Sequence, residues 1–265
     1  MEIIFYKYQG TGNDFVVLDN RNKIYDVLKT EQVRFLCDRR FGIGADGLMF
    51  LNDSEEYDFE MKYFNADGKE GTMCGNGGRC LVQFAYDSGI IKSDYTFIAI
   101  DGVHEASMET DGLVSLKMTD VDKVHTVHGN FVLNTGSPHF IELTSNVDEI
   151  NVVKKGREIR NSKPYKEEGI NVNFVQQLED RDNIIVRTYE RGVEDETFSC
   201  GTGVTAAAIV CYHNDNGFNS VEVKTRGGNL SVEYDKIGET FRNIWLTGPA
   251  VKVFEGKIVL NKSID

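Results

Sequence analysis

The spacing of hydrophobic positions along the chain changes period several times, and the changes mark out elements. Short apolar or alternating runs predict strands at Glu2–Tyr8, Phe15–Asp19, Gly47–Leu51 and Asp58–Phe64. Thr30–Arg40 has helical spacing, with Thr30 in the N-cap position and Val33, Leu36 and Cys37 on one face. Later come strand-like runs at Phe140–Leu143, Ile170–Val175 and Ile184–Tyr189, with a helix near Val147–Ile159. Two segments stand apart. Gly77–Tyr86 (GGRCLVQFAY), stopped near Gly89, reads as an apolar helix, and Gly203–Tyr212 (GVTAAAIVCY) as a helix apolar all round. An all-apolar helix belongs inside a fold. Further strand-like runs close each half: Tyr95–Ile100, Leu113–Met118, Val221–Lys224, Leu230–Tyr234 and Asn243–Leu246.

The pattern occurs twice. Thr11-Gly12-Asn13-Asp14-Phe15-Val16 is echoed by Thr135-Gly136-Ser137-Pro138-His139-Phe140. Tyr63-Phe64-Asn65 followed by Cys74-Gly75-Asn76-Gly77 is echoed by Tyr189-Glu190-Arg191 followed by Cys200-Gly201-Thr202-Gly203. Two echoes at nearly one offset point to a duplicated half of about 120 residues. The expected fold is α+β: two pseudo-symmetric α/β halves, each a mostly antiparallel sheet or barrel wrapped around a central buried helix. The expected halves are 1–122, carrying Cys74 and joined by a C-terminal strand 256–265, and 123–255, carrying Cys200.

Composition narrows the chemistry. The chain has 265 residues, 40% of them hydrophobic, and a formal net charge of −13. An acidic surface repels phosphate backbones, so no nucleic-acid partner is expected. No apolar run approaches the ~18 residues of a membrane span, and the N-terminal segment lacks a basic region followed by an apolar one, so the expected location is the cytoplasm. Five cysteines, with no C-x-x-C pair, argue against a disulfide framework or a structural zinc site. Gly42-Ile43-Gly44-Ala45-Asp46-Gly47 matches G-x-G-x-x-G but follows a helix and precedes a strand, the reverse of a dinucleotide site, and reads as a tight turn.

In both halves a strand leads through a loop to Cys-Gly-x-Gly and then to a buried helix. A thiol at a helix N-terminus meets unpaired N–H groups and the positive end of the dipole, and is biased toward thiolate. The glycines let a carboxylate approach the backbone. Two such thiols, related by the repeat and facing one carbon from opposite sides, suit racemisation by proton transfer. Cys37, Cys80 and Cys211 lie on core faces and read as structural. Adjacent Glu190 and Arg191 could accept an ammonium and fork a carboxylate.

At these residues the chain resembles the diaminopimelate epimerase family. The resemblance rests on KYQGTGNDFVVLD (7–19), RRFGIGADGLMF (39–50), FNADGKEGTMCGNGGRC (64–80), NTGSPHFI (134–141), GINVNFVQ (169–176), RTYERGVEDETFSCGTGVTAAA (187–208) and LTGPAVKVFEG (246–256). It implies inversion of one centre of LL-2,6-diaminopimelate to give the meso form, with no cofactor or metal, in lysine and cell-wall precursor synthesis, by a homodimer. It implies Cys74 and Cys200 as the acid/base thiols and Gly75, Asn76, Gly201 and Thr202 as backbone donors to the reacting carboxylate. By the same resemblance Asn13, Asn65 and Asn171 bind substrate, Glu190 and Arg191 meet its amino and carboxylate groups, and His139 lies near the chemistry. Gly47 and Ser137 depart from the pattern, where some members carry glutamine and asparagine. The residues alone leave open a proline or hydroxyproline racemase of the same fold group, or a non-catalytic thiol redox protein.

Overall fold

The computed structural model describes residues 1–180 and 182–260. It divides into two compact units, Met1–Leu116 with the described part of Pro249–Asp265, and Lys117–Gly248. The boundaries therefore fall earlier than the expected 122/123 and 255/256. The closing strand of the first unit runs over Val251–Val259, and residues 261–265 of the expected strand lie outside the described residues.

In the first unit β1 (Glu2–Gly10) pairs antiparallel with that closing strand, β17 in chain order, and with β2 (Asn13–Asp19). β2 lies parallel to β3 (Gly47–Asn52), which is antiparallel to β4 (Phe59–Asn65). β4 is parallel to β5 (Asp94–Ala99), and β6 (Gly102–Met108) and β7 (Val114–Lys117) complete the series antiparallel. The second unit repeats this sequence of orientations. β8 (His125–Val127), β9 (Asn130–Asn134) and β10 (Pro138–Leu143) are successively antiparallel. β10 is parallel to β11 (Asn171–Gln177), and β11 is antiparallel to β12 (Asn183–Glu190). β12 carries the short β13 (Asp195–Thr197) and is parallel to β14 (Gly217–Thr225). β15 (Gly228–Ile237) and β16 (Thr240–Gly248) follow antiparallel.

Parallel neighbours need a crossover, and a helix occupies each one. α1 (Thr30–Cys37) connects β2 to β3, and α2 (Gly75–Asp87) connects β4 to β5. α3 (Val152–Arg160) connects β10 to β11, and α4 (Gly201–Val210) connects β12 to β14. α2 and α4 are the central helices of their units, each packed against most of the strands of its own unit. α1 and α3 cover the other face of the same strands. Val16 and Leu18 of β2 join Val33 and Leu36 of α1 in one cluster, and Val172 and Phe174 of β11 join Val152 of α3 in another. Strands sandwiched between two helices bury both faces, so β2 carries the apolar run Phe15–Leu18 and β11 is buried over Asn171–Val175.

Helix boundaries shift from the sequence expectation for local reasons. Thr30 is the first helical residue, not the cap; Lys29 occupies that position, and Gln32 accepts from its N–H at 2.9 Å. The expected helix over 147–159 is interrupted. A 3-10 turn at Val147–Glu149 ends at Ile150, and Asn151 opens α3 by accepting from Lys154 N at 3.0 Å. Among the described residues no helix is long and apolar enough to cross a membrane.

Candidate active site

Cys74 and Cys200 are the N-cap residues of α2 and α4, both half-buried with extended backbones. Neither caps its helix with its own side chain, and neither helix has an acidic residue in its first turn. Each sulfur therefore stands at a positive helix end with no local carboxylate on the same turn.

Around Cys74 the partners are amides. Asn13, at the start of β2, donates through Nδ2 to Asp46 at 2.7 Å, which turns its carbonyl oxygen toward the cysteine. That oxygen lies 3.5 Å from Cys74 Sγ and accepts from Asn76 Nδ2 at 3.3 Å. An ion cluster fixes Asp46: Arg39 bridges it (2.7 Å) to Asp14 (2.6 Å), and Lys7 closes on Asp14 at 2.6 Å. Burial raises the Asp14 carboxyl, but hydrogen bonds from Arg39 and Lys7 outweigh it and hold its pKa at about 2. Gly75 is the first helical residue. Asn65 stands apart, exposed at the end of β4 in a turn where Gly68 N donates to its carbonyl at 2.9 Å. The departure at Gly47 has a steric cause: a Cβ there would sit 2.5 Å from the Tyr63 ring and 2.7 Å from Phe64 O.

Around Cys200 the partners are hydroxyls and an imidazole. Thr202 Oγ1 lies 3.5 Å from Cys200 Sγ and 2.9 Å from His139 Nε2. Ser137 Oγ lies 2.9 Å from the same ring nitrogen and 3.1 Å from Thr202 Oγ1. His139 is fully buried, and desolvation, reinforced by the Arg191 cation, pushes its pKa down to about 3, so it is neutral at working pH. Asn173 sets its tautomer. The Asn173 amide donates to Phe140 O at 3.2 Å and accepts from Thr188 Oγ1 at 2.8 Å, an orientation that presents Nδ2 to His139 Nδ1 at 3.0 Å. The imidazole proton then lies on Nε2, pointed at the hydroxyls, and the Thr202 hydroxyl is left to donate toward the sulfur.

Asn171 ties the remaining residues to this network. Its Nδ2 donates to Ser137 Oγ at 3.1 Å and Pro138 O at 3.2 Å, and its Oδ1 accepts from Arg191 N at 2.8 Å. Glu190 is the half-buried last residue of β12, and Arg191 is exposed with Nη1 donating to Glu168 O at 3.0 Å. The structure thus links Asn13, Asn76 and Cys74 in one unit and His139, Asn171, Thr202 and Cys200 in the other, with Asn65 outside these networks. Sequence reasoning missed Asn173. Its signal was the spacing Asn171-Val172-Asn173: two asparagines on one face of an otherwise apolar strand. A concavity of about 640 Å³ along α3, lined by Lys154, Arg157 and Glu158 among others, shares no residue with these networks. Among the described residues no group of three or more His, Cys, Asp or Glu side chains could hold a metal ion.

Comparison with known proteins identifies relatives over nearly the whole chain. A family model described as diaminopimelate epimerase matches residues 5–124 and 131–253. A diaminopimelate epimerase from Flavobacterium psychrophilum is 49% identical over 255 residues, covering 96% of this chain and 99% of the relative. One from Aquifex aeolicus is 42% identical over 274 residues, covering 96% and 97%. Among solved structures, a phenazine biosynthesis protein of the PhzF family from Bacillus anthracis superposes with a TM-score of 0.75 at 16% identity, covering 98% of this chain and 100% of the other. A hydroxyproline epimerase from Agrobacterium vitis with bound trans-4-hydroxy-L-proline gives 0.69 at 14% identity, covering 99% and 94%. At these identities the structural likeness speaks for the fold alone.

Proposed function

The chain belongs to the diaminopimelate epimerase family, and on that premise we propose that it converts LL-2,6-diaminopimelate to the meso form by two-base proton transfer, without pyridoxal phosphate or metal. The observation that carries the reading is the pair of half-buried cysteines, each at the N-cap position of a central helix and each followed by glycine. One cysteine thiolate removes the α-proton, and the thiol of the other delivers a proton to the opposite face. Charge that builds on the reacting carboxylate is met by backbone N–H groups of Gly75-Asn76 and Gly201-Thr202 at the helix ends. Glu190 accepts from a substrate ammonium and Arg191 forks the distal carboxylate, with Asn13, Asn65 and Asn171 supplying further polar contacts. His139 acts through Thr202. The 49% identity to a relative named for this substrate supports diaminopimelate over a cyclic imino acid, which offers no distal ammonium and carboxylate. On the same reading the enzyme works in the cytoplasm as a homodimer.

The test is turnover of LL-diaminopimelate in deuterated water. Early meso product should carry solvent deuterium at the inverted centre, while remaining substrate stays nearly unlabelled. Cys74→Ala and Cys200→Ala should each cost roughly 10²–10⁴-fold or more in inversion. Product that keeps the substrate hydrogen, or full inversion by either alanine variant, refutes the two-thiol reading.

A further inference from the structure

α2 contains a cation where a buried helix should have none. Arg79 is fully buried, and among the described residues its Nε and Nη1 have no hydrogen-bond partner. Nη2 donates to Asn76 Oδ1 at 3.0 Å and lies 3.5 Å from Thr11 Oγ1. Its roof is Gly10, where a Cβ would stand 3.4 Å from Nη2. Arginine keeps its proton in proteins, so a full charge is held out of water. A charge in that position demands a counter-charge.

The carboxylates and cations around α2 are engaged elsewhere. Lys7 of β1, Asp14 of β2, and Arg39 and Asp46 before β3 neutralise one another. Tyr8 of β1 donates to Asp87 at 2.5 Å, and burial, then that carboxylate, raises its pKa, so it stays neutral. Lys62 of β4 pairs with Glu70 at 3.7 Å, and His104 of β6 with Asp101 at 3.2 Å. Glu105 of β6 has interactions of its own. On β17, Lys252 pairs with Glu255 at 2.6 Å and Lys257 with Glu2 at 3.2 Å. Ionisation of either of two thiols, Cys80 or Cys74, would stabilise the Arg79 charge. Cys80 is fully buried, and desolvation pushes it up to about 12, so it stays neutral. Cys74, half-buried at the helix N-terminus, is the better placed of the two to ionise. The Arg79–Asn76–Asn13 chain of hydrogen bonds ends at Asn13 Oδ1, which accepts from the Cys74 thiol; ionisation gives up that last bond and leaves the Arg79 cation as the compensating charge.

We propose that Arg79 is a positioning residue whose buried guanidinium serves as the fixed counter-charge of the Cys74 thiolate, and that through Asn76 it holds Asn13 Oδ1 as the acceptor of the S–H while Cys74 is protonated. The proposal rests on the reading of Cys74 as an acid/base thiol, but its test does not use turnover. In α4 the place equivalent to Arg79, five residues after the cysteine, holds Thr205, whose hydroxyl donates to Gly201 O at 3.0 Å. The built-in cation therefore serves one thiol only.

The experiment follows alkylation of the native full-length chain by iodoacetamide against pH, with Cys74 and Cys200 peptides resolved by mass spectrometry. In the native protein the Cys74 midpoint is expected below the ordinary thiol value of about 8.5. Arg79→Gln and Arg79→Met should slow Cys74 alkylation at pH 7 about tenfold or more and leave its high-pH plateau and the Cys200 profile unchanged. Arg79→Lys should restore part of the rate. A native Cys74 midpoint at or above the ordinary value overturns the proposal without any variant. So does a folded Gln or Met variant whose Cys74 midpoint is unmoved. Absence of turnover on diaminopimelate with these alkylation results intact would instead remove the substrate assignment.

Discussion

Beneath each central helix the two units place a glycine over the same slot in the sheet and fill that slot with opposite chemistry. A Cβ on Gly77 would meet Met49 Sδ at 3.1 Å and Phe15 at 3.5 Å; a Cβ on Gly203 would meet Asn173 Oδ1 at 2.4 Å and His139 Cε1 at 3.3 Å. Phe15 and Met49 stand on the parallel pair β2/β3 as His139 and Asn173 stand on β10/β11. Under the glycine the first unit's sheet is thus apolar, and the buried polar groups of its helix are Arg79 and Asn76. The second unit's sheet is polar there, and its helix adds only the hydroxyls of Thr202 and Thr205. One scaffold supports two thiols by different means: a fixed charge relayed through amides, and a neutral imidazole relayed through a hydroxyl.

The sharpest way to break this comparison is to make the second slot resemble the first. Asn173→Met leaves His139 Nδ1 and the Thr188 hydroxyl without their bonds to Asn173, and should cost roughly 1–3 kcal/mol for each orphaned group in denaturant unfolding. Activity should fall with it, because the imidazole tautomer is no longer set. Adding His139→Phe should recover about 0.5–3 kcal/mol of stability as a coupling energy, while activity stays low. Additive losses in that cycle would show that the two residues do not work as a unit.

A smaller effect separates the glycines. Gly203→Ala forces its methyl into an amide held on two sides and should cost roughly 1–3 kcal/mol, whereas Gly77→Ala meets a flexible thioether and should cost under about 1 kcal/mol. Equal losses would mean the slots are equally forgiving. The smallest effect at neutral pH belongs to the charge state of His139. Its pKa in the fold, about 3, lies below the ordinary 6.5, so between those values the unfolded chain binds a proton that the folded one refuses. Stability should therefore fall as pH drops through that window, with a slope from this residue of at most about 1.4 kcal/mol per pH unit. His139→Gln should remove that part of the slope; an unchanged slope would show that the imidazole already titrates in the fold.

The parts of this architecture legible in the sequence were those where burial is extreme. α4 is apolar all round and eight of its residues are buried, so its place could be read directly, and the same holds for β2 and β11. What escaped was structure made by pairing rather than by burial. β6 reads GVHEASM with one fully buried residue, β8 and β13 have three residues each, and of β17, exposed over most of its length, only the part from residue 256 was expected. Such strands exist because a neighbour offers hydrogen bonds, and nothing in their own composition announces it. The cysteines, with the glycines after them, were legible because the repeat showed them twice. Asn173 and Arg79 were not, because a buried polar group declares its role only through its partners.

The pairing of β1 with β17, sealed where the N-terminal ammonium donates to Leu260 O at 2.8 Å, gives the two units different schedules during synthesis. Residues 117–248 are contiguous, so that unit can finish its sheet as soon as β16 clears the ribosome. The other unit must hold an open β1 edge until β17, which follows the whole of the contiguous unit, has been made. That edge is the exposed template for mispairing in the nascent chain, and a message truncated before β17 would leave it permanently unclosed.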